Sequence, residues 1–101
     1  MPKIVIAPEF ITKVLTDQGL TDWQVKIAYH REVSNNLGMC AWHTKIIWVR
    51  ASRRTEQKHR NTLLHEVAHA LTPGARHNKP WIQKFTELQQ QYWDASVRGY
   101  N

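Results

Sequence analysis

Hydrophobic positions in this chain recur with two periods, and the switches between them mark out the elements. Residues 1–8 read as an extended lead-in. From Glu9 to Gln18, Phe10, Ile11, Val14 and Leu15 return at helical spacing, with Gly19 as a stop. The period then shortens to two. Trp23, Val25, Ile27 and Tyr29 alternate with Gln24, Lys26, Ala28 and His30, the pattern of a half-buried strand. Ser34-Asn35-Asn36-Leu37-Gly38 carries turn chemistry, Met39–Trp42 forms a short second strand, and Lys45–Ala51, rich in β-branched and aromatic residues, forms a third.

Around Ser52–Thr55 the helical period returns and predicts a helix to Thr72, where Pro73-Gly74 ends it. Asn78 is a suitable N-cap, with Pro80 in the first turn, for a last helix reaching about Trp93. On it Trp81, Phe85, Leu88 and Tyr92 fall on one stripe, the mark of a core-facing side. The expected architecture is a single α+β domain over residues 1–101. It has an N-terminal helix, a three-stranded, mostly antiparallel sheet, and two further helices. No repeat or linker interrupts it.

Composition narrows the class. The 101 residues leave room for one modest core, to which a bound metal would add folding free energy. No apolar run is long enough to span a bilayer, and Met1-Pro2-Lys3-Ile4 does not open a secretory signal, so a cytoplasmic protein without a membrane partner is expected. Cys40 is the single cysteine, which excludes an internal disulfide and a CxxC zinc site and reads as a small buried hydrophobe. Fourteen Lys and Arg against eight Asp and Glu give a net charge of +6, compatible with nucleic acid or an acidic partner.

The chemistry concentrates in His65-Glu66-Val67-Ala68-His69. On a helix, His65 and His69 lie about 40° apart around the axis and roughly 6 Å along it, so both imidazoles can reach one metal ion. Glu66 sits beside that position, where a carboxylate can take a proton from an attacking water. Leu63, Leu64, Val67, Ala70 and Leu71 gather on one arc of the helix; His65, Glu66, His69 and Thr72 occupy the opposite one, turned toward a cleft. A catalytic zinc takes three protein ligands and keeps a fourth place open. The third ligand has two main candidates. His77 stands eight residues beyond His69 across the Pro73–Arg76 loop, and Glu87 could enter from the last helix but lies off its apolar stripe. His59 lies about 100° off the metal face, and His30 and His43 read as surface or edge residues.

The run Leu64-His65-Glu66-Val67-Ala68-His69-Ala70-Leu71, followed by His77-Asn78-Lys79-Pro80-Trp81, resembles the SprT-like family of zinc metallopeptidases. Trp23-Gln24-Val25, Leu37-Gly38-Met39-Cys40 and Lys45-Ile46-Ile47-Trp48-Val49 are similar, more loosely, to the strands of that family. The likeness spans roughly residues 10–93, and the short step from His69 to His77 is that of its compact members. The resemblance implies a zincin-like fold and one zinc per chain. It also implies His65, His69 and His77 as ligands, Glu66 as general base, and hydrolysis of peptide bonds in protein substrates, often ones associated with DNA.

Two features bear on partners. Arg50, Arg53, Arg54, Lys58 and Arg60 cluster at the entry to the active helix, where they oppose its dipole and could hold phosphate, with Trp42 or Trp48 for base stacking. Tyr29, Tyr92, His43 and Arg76 are the candidates for donating to a tetrahedral oxyanion. Beside the peptidase stand two other readings, a nucleic-acid-binding module with a structural zinc and a catalytically idle interaction scaffold. A closed structural site needs four protein ligands and has no use for Glu66, which favours the peptidase.

Overall fold

The computed structural model describes residues 5–29 and 37–93. Their order is α1 (Pro8–Asp17), β1 (Gln24–Ala28), β2 (Gly38–Ala41), β3 (Ile46–Arg50), α2 (Glu56–Leu71) and α3 (Lys79–Leu88), which runs into a π-helical turn, Gln89–Trp93. This is the expected α+β layout, with boundaries shifted by a residue or a few. Pro8 stands in the first turn of α1, where its missing N–H costs nothing, so the lead-in is shorter than the sequence implies. The Ser34–Asn36 part of the expected turn, and His30, lie outside the described residues.

The sheet order is β1-β3-β2. Only four residues separate β2 from β3, and the two pair antiparallel, from Gly38↔Val49 to Ala41↔Ile46. β1 pairs parallel with β3, from Gln24↔Ile46 to Ala28↔Arg50. The sheet is therefore mixed rather than mostly antiparallel. The reason is that β2 is reached from β1 by a connection too long to form a hairpin, which frees β1 to take the other side of β3. β3 alternates: Ile47 and Val49 are fully buried while their neighbours are half-buried.

α2 lies across β2 and β3 and is covered on another side by α3. Its start is capped by the Thr55 hydroxyl, which accepts from the Lys58 N–H at 3.2 Å. Leu63, Leu64, Val67 and Ala68 join Ile47 and Val49 in the core. Burial continues around the helix to His59, Thr62 and Glu66, so α2 is enclosed on more sides than one apolar arc would require. His59 Nδ1 lies 2.9 Å from Thr55 O, which can only accept, so Nδ1 carries the hydrogen. Its Nε2 then accepts from the Ser52 N–H at 3.2 Å, holding the β3–α2 connection against the helix. On the far side α1 docks through Phe10, edge-on to Tyr92 at 5.8 Å, and Tyr92 Oη donates to Asp17 at 3.0 Å. Among the described residues, no helix is long and apolar enough to cross a membrane.

Candidate metal centre

His65 and His69 project from one side of α2, a helical turn apart. The chain leaves α2 at Thr72, and Gly74 (φ +79°) and Arg76 (φ +52°), both left-handed, bracket the buried Ala75. Ala75 N–H bonds Thr72 O at 3.0 Å and Asn78 N–H bonds Ala75 O at 3.1 Å. These consecutive turns fold the loop back, so His77 returns to the histidine pair before α3 begins. His77 Nε2 lies 3.0 Å from His69 Nε2 and 3.3 Å from His65 Nε2.

These three histidines lie close enough to bind one metal ion, one ring nitrogen of each falling within 4.8 Å of the others. An N–H can link only one pair of imidazole nitrogens at a time, whereas a cation accepts a lone pair from all three. The rings are poised for this. Burial, then His69 and His77 beside it, push His65 down to about 4. Burial and His77 also hold His69 below its ordinary value. Both are neutral at pH 7, the form that ligates.

Trp81 ties the centre to α3. Its indole N–H donates to His65 O at 3.3 Å, and its ring centroid lies 4.7, 5.2 and 4.6 Å from those of His65, His69 and His77. Phe85 stacks on Trp81 at 5.0 Å. The stripe expected to be core is core, and it also sets the imidazole positions. Glu87 points elsewhere: it is exposed and paired with Lys84 at 3.1 Å, so the third position belongs to His77.

Glu66 lines the cleft beside the histidines, as the helical wheel implies, but it is only 6% exposed, enclosed by β2. No hydrogen bond reaches its carboxylate among the described residues; His65 Nε2 is 3.8 Å away. Burial pushes this carboxyl up to about 7. Gly38 makes the enclosure possible. A Cβ there would stand 3.0 Å from Thr62 Cγ2 and Trp48 O and 3.1 Å from Glu66 Cγ, so a larger residue would need these neighbours to give by a few tenths of an ångström.

A cleft of about 830 Å³ opens over these groups. Leu37, Gly38, Cys40 and Trp42 form one wall, Thr62, His65, Glu66 and His69 the floor, and Gly74, Arg76 and His77 the opposite rim. Among the described residues β2 is an edge strand. The Arg50 N–H bonds Leu37 O at 2.8 Å, so alternate residues from Leu37 bond toward β3, while Gly38 and Cys40 turn their N–H and C=O to the open edge. Cys40 is half-buried in this wall, and burial together with the Glu66 charge pushes its thiol up to about 12, leaving it protonated.

Of the four candidate oxyanion donors, Arg76 alone lines the cleft; Tyr92 is engaged with Asp17 and Gln18 on the far side. The basic group divides. Arg54 lines the cleft, Arg60 pairs with Glu56 at 2.9 Å and covers the Phe10 ring, Arg53 and Lys58 are exposed, and Arg50 is half-buried on β3. Trp42 is exposed at the cleft wall, and Lys26 stands over Trp48 at 5.7 Å. Sequence reasoning singled out Arg54 only as part of the basic group and missed Gly38, Asn61 and Thr62 as cleft residues. Thr62 alone carried a signal, lying one turn before Glu66 on the same face. Comparison with models of known protein families, with curated proteins and with solved structures found no match.

Proposed function

We propose that this chain is a zinc metallopeptidase that acts on extended protein segments, with a site of the SprT-like kind. The observation that carries the reading is the convergence of three imidazoles, His65, His69 and His77, in an open cleft, beside a buried carboxylate that has no hydrogen-bond partner among the described residues. The donor set fits zinc. Three imidazole nitrogens at bonds of about 2.0–2.1 Å around a tetrahedral centre stand roughly 3.3 Å apart, close to the spacings here. A structural zinc would need a fourth protein ligand, and the described histidine cluster offers three.

Zinc held there supplies a Lewis acid that polarises a carbonyl and makes a water acidic near neutral pH. The chain's own residues do the rest. The open edge at Gly38 and Cys40 bonds the main chain of an extended peptide, leaving the choice of side chains to the cleft walls. Glu66 takes a proton from the attacking water and passes it to the leaving amine, and its enclosure under β2 keeps bulk water from competing for that proton. Arg76 at the rim donates to the developing oxyanion. The resemblance extends the substrates to proteins associated with DNA.

The test is zinc-dependent cleavage of an unfolded protein, with and without single-stranded DNA, by wild type and Glu66→Gln. The variant should lose about 10²- to 10⁴-fold in rate while binding zinc and melting no lower than wild type. Equal cleavage by both proteins rejects the role assigned to Glu66.

A further inference from the structure

Arg54 is built into the cleft in a way the reaction does not use. It stands between β3 and α2 and lines the cleft. Its Nε donates to Ser52 Oγ at 3.0 Å and its Nη2 to Thr62 Oγ1 at 3.0 Å. Both anchors are themselves held. Ser52 Oγ lies 3.2 Å from Nε2 of the buried His59, and the Thr62 hydroxyl donates to Lys58 O at 3.2 Å. Thr62 precedes Glu66 by four residues, about 6 Å along the axis, so the guanidinium is fixed beside the general base toward the start of α2.

Two neutral hydroxyls orient this cation, and no carboxylate among the described residues stands within ion-pair distance of it. A half-buried guanidinium with no counter-ion among the described residues carries a desolvation cost that an arriving anion offsets. Three of its five N–H groups remain for a planar acceptor, the geometry that takes a carboxylate at two points. The charge of the whole cleft agrees. Among the described lining residues Arg54 and Arg76 are cationic, and Glu66, on the floor, is the one acidic residue.

We infer that Arg54 is a specificity-determining residue that binds a carboxylate side chain of the peptide substrate close to the scissile bond, so that the cleft selects acidic segments. This rests on the peptidase reading, and the experiment keeps the two apart.

Zinc-loaded full-length protein is given unstructured labelled peptides that differ only in Glu, Gln or Lys at single positions on either side of the cleaved bond. At one position Glu should exceed Gln by about tenfold or more in kcat/KM, the size of one charge-assisted hydrogen bond, and Lys should fall below Gln. In Arg54→Gln the Glu-to-Gln ratio should collapse toward one, and in Arg54→Glu the order should invert. Equal rates for Glu and Gln at every position in wild type overturn the inference while leaving the peptidase standing, and need no variant to fold. Absence of all cleavage sinks the peptidase reading instead. Fluorescence anisotropy of the same peptides then decides on Arg54: tighter binding of the Glu peptide supports it, and equal binding rejects it.

Discussion

Glu66 and Gly38 form one device, although they are far apart in sequence. The carboxylate is enclosed because β2 presses on α2, and β2 can press because position 38 has no Cβ. Gly38→Ala forces a methyl to within 3.1 Å of three heavy atoms, one of them the backbone oxygen of the paired strand. Overpacking of this kind costs about 1–3 kcal/mol. The variant should therefore denature at lower urea concentration by about that amount, and its cleavage rate should fall further than Cys40→Ala lowers it. A variant as stable and as active as wild type would show that β2 does not set the carboxylate. The sequence flagged Gly38 only as turn chemistry. A helical wheel of α2 turns Glu66 toward a cleft, which it lines, but contains no information about the strand that encloses it there.

At the scale of elements, α2 was the most legible. Its caps at Thr55 and Thr72, the Pro73-Gly74 stop and the one-turn spacing of His65 and His69 are all local signals. The sheet was less so: Ile46–Arg50 alternates clearly, but which strand lies beside which depends on contacts between distant residues, and a parallel β1–β3 pair leaves no local trace. Glu56 joins the two kinds of information. Its carboxylate accepts from the Ala7 N–H at 2.9 Å and from Arg60 Nε at 3.0 Å, fastening the start of α1 to the start of α2. Burial pushes this carboxyl up, but the Ala7 N–H, Arg60 and His59 outweigh it and hold it below the ordinary range. A depressed carboxyl stabilises the fold above its unfolded pKa of 4.5, and that contribution disappears as pH falls through the lower folded value. Glu56→Gln should accordingly melt below wild type at pH 7, with the gap closing as pH drops below 4.5. A gap that persists unchanged at pH 2–3 would assign the loss to packing rather than charge.

For the whole molecule, the loop between α2 and α3 decides what the two helices can do together. Two left-handed residues turn His77 back, and Trp81 from α3 packs against all three imidazoles, so the candidate metal centre is where α2, the loop and α3 meet. The sequence favoured His77 over Glu87 as the third member; the loop's turns, which only the folded chain displays, bring His77 to the pair. A bound ion would brace this junction and so couple the centre to the stability of the domain. The most direct measurement is zinc X-ray absorption on the protein loaded with one equivalent of metal. The account predicts three imidazole nitrogens and one non-protein oxygen at about 2.0 Å, with one imidazole lost in His77→Ala. A sulfur in the coordination sphere, a fourth protein ligand, or an unchanged spectrum in His77→Ala would contradict it.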